Sequence, residues 1–104
     1  MKLVAVTACP SGVAHTYLSA EMLQKVAKSR GVEIKVETQG SVGIDNKITS
    51  EEIKAADAVI LTKDVAIIGE ERFKGKPTVR ISVSDAIKRA DQIIAKIQEK
   101  LENK

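Results

Sequence analysis

Among the short unbroken apolar runs are Leu3-Val4-Ala5-Val6 and Ala58-Val59-Ile60-Leu61. Runs of that length without polar interruption predict strands buried on both faces of a sheet. Val32-Glu33-Ile34-Lys35-Val36-Glu37-Thr38 alternates strictly instead, so one face of this strand should be less buried, which places it at a sheet edge. Thr78-Val79-Arg80-Ile81-Ser82 reads as the last strand. Between them the period changes. From about His15 to Arg30, Leu18, Met22, Leu23 and Val26 share one helical face, and Gly31 stands where a helix C-cap glycine belongs. Thr49 and Glu52 form a capping box, with Ile48 and Ile53 spaced as a hydrophobic staple, so a brief helix should run to near Ala56. Ile87, Ala90, Ile94, Ile97 and Leu101 make the stripe of a final helix, capped by Ser82 or Ser84 with Asp85 near its positive end. Residues 65–76 fit either a short helical turn or irregular chain, and Lys74-Gly75-Lys76-Pro77 is a turn.

Strand and helix alternate four times, which predicts an α/β three-layer sandwich: a four-stranded parallel sheet with right-handed crossovers and helices on both sides. The expected strand order is 2-1-3-4, Rossmann-like, with the first strand beside the topological switch point. Sheets of this kind bind ligands at the carboxyl ends of their strands. The distinctive residues lie in segments leaving strands: Cys9, then Gln39 to Gly43, then Thr62 to Asp64, then Ser82.

The 104 residues suit one domain, 1–104, and the 17 Lys and Arg against 14 Asp and Glu give a net charge of +3. That surplus is too small, and the aromatic content too low (Tyr17 and Phe73), for a nucleic-acid-binding surface. Cys9 is the only cysteine and His15 the only histidine, so neither an internal disulfide nor an all-protein structural zinc site can be built. No metal and no cofactor is expected. Met1-Lys2 leads directly into an apolar run too short for a signal peptide or a membrane span, which predicts a cytoplasmic protein that does not itself span the membrane.

The candidate chemistry is in Thr7-Ala8-Cys9-Pro10-Ser11-Gly12-Val13-Ala14-His15-Thr16. Here a cysteine closes a core strand and a short loop leads into a helix. Loop amides and the unpaired N–H groups of the first helical turn can converge on one anion. The same donors and the helix dipole would stabilise a thiolate, making Cys9 a nucleophile suited to a phosphoryl group. Four readings are open. A low-molecular-weight tyrosine-phosphatase-like enzyme fits the loop length, since five residues separate Cys9 from His15 and Thr16 follows, but His15 stands where such enzymes carry an arginine. Without that guanidinium the transition-state oxygens lose their main clamp, and a cysteinyl phosphate would persist. A dinucleotide-binding fold lacks its glycine fingerprint. A redox thiol lacks a partner cysteine. A phosphocarrier would accept a phosphoryl group on Cys9 and pass it on.

Val4-Ala5-Val6-Thr7-Ala8-Cys9-Pro10-Ser11-Gly12-Val13-Ala14-His15-Thr16 closely resembles the signature of the IIB component of fructose-type (fructose/mannitol family) phosphoenolpyruvate-dependent sugar phosphotransferase systems. The resemblance continues through Lys35-Val36-Glu37-Thr38-Gln39-Gly40-Ser41-Val42-Gly43, Ala56-Asp57, Arg72-Phe73 and Gly75-Lys76. It implies a phosphotransferase working through a phosphocysteine at Cys9. The phosphoryl group would come from a phosphohistidine of a IIA protein or domain. It would pass to fructose or a related hexose held by the membrane permease IIC. On this reading Pro10, Ser11, Gly12, Val13, Ala14, His15 and Thr16 bind the phosphate, with the Ser11 and Thr16 hydroxyls as extra donors. His15 either donates to a phosphate oxygen or only satisfies local backbone. Gln39, Gly40 and Ser41 form a facing wall or docking surface, or a tight turn. Asp64 stands where a general acid would, though a helix cap or a solvated charge suits its position better. Arg72 either docks a partner or pairs with a surface carboxylate.

Overall fold

The computed structural model describes residues 1–8, 13–40 and 43–102. Among them run β1 (Lys2–Ala8), α1 (Val13–Ser29), β2 (Glu33–Gly40), β3 (Gly43–Asp45), α2 (Ser50–Ala55), β4 (Ala58–Thr62), a 3₁₀ turn (Glu70–Phe73), β5 (Thr78–Ile81), α3 (Val83–Lys88) and α4 (Ala90–Glu102). The sheet order is β3-β2-β1-β4-β5. β1 pairs in parallel with β2 and β4, and β4 with β5, whereas β2 and β3 are antiparallel.

The four parallel strands thus stand in the expected order, but the sheet is five-stranded and mixed rather than four-stranded and all parallel. The added strand, β3, is three residues long and fully exposed. It has no burial pattern to announce it. It exists because the C-terminal end of β2 offers free backbone groups, with Gly40↔Gly43 closing a tight hairpin.

Alternation along β1 divides two cores. Leu3 and Ala5 face α1, α3 and α4, packing with Leu23, Ala27, Ile60, Ala86 and Ile94. Val4, Val6 and Ala8 face α2 and the 3₁₀ turn, packing with Ile53, Val59, Leu61 and Phe73. Both faces of the parallel sheet are therefore covered.

α1 begins two residues before the expected start, and of the expected stripe Leu23 is buried and Met22 and Val26 pack against the core, while the rest of the buried face is smaller residues. Leu18 is 42% exposed, while Thr16, Ser19, Ala20, Leu23 and Ala27 are buried. α1 packs against β2, α3 and α4 at once, and small side chains let three neighbours approach where leucines would not fit. Its end is as expected: Gly31 takes φ +69°, and Val32 N–H reaches back to the Ala27 carbonyl at 2.8 Å. α2 also starts as expected. Glu52 N–H donates to Thr49 Oγ1 at 3.2 Å, Thr49 N–H donates to Glu52 Oε1 at 2.9 Å, and Ile48 and Ile53 are both buried.

The single final helix expected from the stripe is two. Arg89, at φ −126° and ψ 25°, separates α3 from α4. Hydrogen bonds from Arg89 N–H to the Asp85 carbonyl and from Ile93 N–H to the Arg89 carbonyl run on across the break. The apolar spacing consequently survives a change of helix axis. No described helix is long and apolar enough to cross a membrane.

Candidate functional site

Cys9, Pro10, Ser11 and Gly12, together with Ser41, lie outside the described residues. Val13 and Ala14 are placed as the first residues of α1. The frame around the loop is well defined at both ends. β1 stops at Ala8 and α1 starts at Val13, so four residues join a central strand to a helix N-terminus. The first turn of α1 holds no acidic side chain, and its positive end is left to whatever anion the loop admits.

Each end of the loop is tied by a buried threonine. Thr62, the last residue of β4, accepts from Ala8 N–H at 2.9 Å and donates to the Ala8 carbonyl at 3.2 Å through the same hydroxyl. Thr7 Oγ1 donates to the Thr16 carbonyl at 3.1 Å, and Ser19 Oγ donates to it at 2.8 Å. The Thr16 side chain itself is 1% exposed, and its hydroxyl has no hydrogen-bond partner among the described residues. A buried hydroxyl left unpaired costs about 1–3 kcal/mol, a cost removed if it donates to an anion in the loop. His15, by contrast, is exposed on the first turn of α1. It shares a cavity of about 420 Å³ with Leu18, Asp64, Val83, Ser84, Ile87 and Lys88.

Asp64 leaves β4 toward α3. Its Oδ1 accepts from Val83 N–H at 2.7 Å, while Ser82 Oγ accepts from Asp85 N–H at 3.0 Å. The two residues together satisfy two of the free amides of α3, those of Val83 and Asp85, so Asp64 acts as a helix cap.

Gln39 and Arg72 do not reach outward. The Glu37 side chain is 0% exposed, and Arg72 Nη1 and Nη2 grip its two oxygens at 2.8 and 2.6 Å. Gln39 Nε2 donates to Glu37 Oε2 at 2.9 Å and Ile48 N–H donates to Oε1 at 2.9 Å. The Gln39 amide also takes the place of a strand neighbour for Ile68, accepting its N–H and donating to its carbonyl, both at 2.9 Å. Arg72 Nε donates to the Gly69 carbonyl at 2.8 Å, and the guanidinium lies 4.7 Å from the centre of the Phe73 ring. The carboxylate that Arg72 meets is therefore a buried one, not a surface one. Burial alone would push the Glu37 carboxyl up, but hydrogen bonds from Arg72, Gln39 and Ile48, with the Arg72 charge, outweigh it and hold the group below its ordinary value.

These contacts also revise the reading of β2. Along its first half the alternation does turn polar residues outward, Glu33 being exposed and Lys35 half-buried, but Glu37, and Gln39 beyond it, are buried and hold the segment between β4 and β5 against the end of β2. Gln39 is the register partner of Ala8, so the end of β2 lies beside the last residue of β1. Ile68, with its backbone fixed by Gln39, is 67% exposed.

Three of these features escape a reading of sequence: the Thr7 and Thr62 ties, the Glu37–Arg72 pair, and a bond from the Tyr17 hydroxyl to Asp45 Oδ2 at 2.7 Å. That last bond, followed by partial burial and the Asp45 charge, raises the Tyr17 pKa and tethers β3 to α1. The available signal was a threonine closing each of two apolar strands, in phase with buried positions. Nothing local pairs Glu37 with Arg72.

A family model described as "PTS system, Lactose/Cellobiose specific IIB subunit" matches residues 4–96. The chain is 61% identical over 97 residues to the PTS system fructose-like EIIB component 2 of Escherichia coli K12, spanning 93% of this chain and 92% of that one. It is 48% identical over 95 residues to the PTS system fructose-specific EIIABC component of Bacillus subtilis 168, spanning 91% of this chain but 15% of that longer polypeptide. A solution structure of an enzyme IIB subunit of the PTS system from Escherichia coli K12 matches with a TM-score of 0.92 at 40% identity, covering 98% of this chain and 94% of that one. A thioredoxin-dependent arsenate reductase of Corynebacterium glutamicum, 16% identical with a TM-score of 0.52, shares the fold alone.

Proposed function

We propose, because this chain belongs to the phosphotransferase-system IIB family, that Cys9 is the residue through which it carries its phosphoryl group. The chain is a fructose-like EIIB phosphocarrier component. In the first step the Cys9 thiolate attacks phosphorus in line. The S–P bond forms as the N–P bond of a IIA phosphohistidine breaks, and because that ring carries a proton on its other nitrogen it leaves as a neutral imidazole. In the second step a sugar hydroxyl attacks the same phosphorus, its proton passing to a base. The S–P bond breaks and the thiolate is restored. The loop from Pro10 to Thr16 would cradle the equatorial oxygens through the N–H groups of Ser11 to Thr16, since Pro10 has none, with the Ser11 and Thr16 hydroxyls as further donors.

The observation that carries this reading is the cysteine loop between β1 and an α1 N-terminus free of acidic side chains, in a chain of this family. Relatives in which the same region is one part of an EIIABC or EIIBC polypeptide point to IIA and IIC as the partners. The sugar proposed is fructose or a related hexose, because the relatives sharing half or more of the sequence are the fructose-like ones. We place the protein in the cytoplasm, with residues 1–104 forming one IIB unit.

Intact-mass spectrometry after incubation with phosphoenolpyruvate and a phosphorylated IIA relay tests this. A phosphoryl adduct is expected on the wild type and not on Cys9→Ser, and it should disappear when IIC membranes and fructose are added. An adduct of equal yield on folded Cys9→Ser overturns the assignment of Cys9. Steady release of inorganic phosphate without transfer to sugar would favour a phosphatase.

A further inference from the structure

We infer that Thr62 is a positioning residue for the Cys9 nucleophile, acting through the backbone of Ala8; its role in transfer rests on the phosphocarrier reading above. Backbone register between β1 and β4 runs from Leu3↔Ala58 to Val6↔Leu61 and stops there. Beyond that point Ala8 still needs partners on the β4 side, because both its N–H and its carbonyl are buried. The Thr62 hydroxyl supplies both, at 2.9 and 3.2 Å. One hydroxyl has one proton to donate and lone pairs to accept, and here each is engaged on the same peptide residue. The next covalent bond leads to Cys9.

Ala8 is bonded to Cys9, and on its β4 side it is held by a side chain where the strand ladder has ended. In-line attack tolerates little error, since misplacement by about 1 Å can cost about 100-fold in rate. Thr62 is itself buried and belongs to a strand packed on both faces, so its hydroxyl has little freedom to drift. Gln39 pairs with Ala8 from the other side through the β2 register. Thr7, one residue earlier, ties the far end of the loop through the Thr16 carbonyl. Ala8 and Thr16, on either side of the cysteine in sequence, are thus both tied, and Thr62 holds the one next to it.

Packing and hydrogen bonding make opposite forecasts for two substitutions. Thr62→Val keeps shape and methyl packing but removes both bonds. Thr62→Ser keeps the hydroxyl and loses a methyl. If Thr62 positions Cys9, Val should slow single-turnover transfer from saturating phospho-IIA by about tenfold or more, with the half-saturating IIA concentration little changed. Ser should stay closer to the wild type. The pH profile of Cys9 alkylation by iodoacetamide should move its midpoint upward in Val and less in Ser, because the loop donors no longer converge on the thiolate. Circular dichroism and urea unfolding confirm that the variants compared are folded, and Thr62→Ala serves if Val does not fold. A Val variant as fast as Ser, with the same alkylation midpoint, overturns the inference. Alkylation requires no partner protein. If the wild type accepts no phosphoryl group the carrier reading fails, while the alkylation profiles still decide the role of Thr62.

Discussion

Glu37 is the residue whose environment is most finely balanced. A carboxylate with 0% side-chain exposure is tolerable only because every direction it faces holds a donor: two guanidinium nitrogens, a glutamine amide and the Ile48 backbone N–H. Arg72, at 20% exposure, is the partner that cannot be removed. Arg72→Met should destabilise the fold by about 3–5 kcal/mol in urea unfolding, because it strands a buried charge; a loss below about 1 kcal/mol would mean that water replaces the guanidinium. The direction of the Glu37 shift also fixes a pH dependence. Its folded pKa lies below the ordinary value of 4.5. The stability it contributes is therefore fully present above pH 4.5 and is lost as pH falls through the folded pKa. Wild type should lose stability across that acidic window more steeply than Glu37→Gln, with the two curves running parallel above it. Parallel curves throughout would show that Glu37 titrates alike in the folded and unfolded chain.

At the scale of elements, caps and glycines decide where chain segments stop. Thr49→Ala removes the acceptor of the α2 box and should cost about 1 kcal/mol, measurable as a lower urea midpoint with an unchanged slope. Gly31 and Gly69 both have positive φ, +69° and +77°. An added Cβ at Gly31 meets nothing within 4 Å, whereas at Gly69 it comes within 3.2 Å of Arg72 Nε. Gly31→Ala should therefore cost only the left-handed backbone penalty, about 1–2 kcal/mol. Gly69→Ala should cost more, since Arg72 is held by Glu37 and cannot give way. Equal losses in the two variants would show that the guanidinium shifts freely. The break at Arg89 is the element-scale feature that periodicity hides, because side-chain spacing reports which positions are apolar and not whether the helix axis turns between them.

Across the whole molecule, two cores of different character meet in one sheet. The layer of α1, α3 and α4 packs on apolar contacts, with polar ties at its margins from Thr7 to the Thr16 carbonyl and from Arg30 to Asp91. The layer of α2 and the 3₁₀ turn joins apolar packing to the Glu37 network. The cysteine loop leaves the strand common to both, at the carboxyl end, where loops from β2, β4 and β5 also emerge. An acidic thiol is the physical consequence expected of that position. Iodoacetamide alkylation of the wild type should give a midpoint below the ordinary cysteine value of about 8.5, and a midpoint at or above it would mean that the loop donors do not converge on the sulfur.

Periodicity and punctuation were enough to place β1, α1, β2, α2, β4 and β5 and to order the four parallel strands. They work because burial of a repeating face is a local property of spacing, and because Gly31 and the Thr49–Glu52 box satisfy backbone groups within a few residues. The frame of the proposed Cys9 site was legible for the same reason: the end of β1 and the start of α1 are close in sequence. What tertiary structure alone decided are pairings between distant residues. Glu37 and Arg72 are 35 positions apart and Ala8 and Thr62 are 54 apart. β3 draws its existence from a neighbour's open edge, and Leu18 stays exposed because small residues on α1 fit better against three other elements. In each case the free energy resides in a partner that the local sequence does not name.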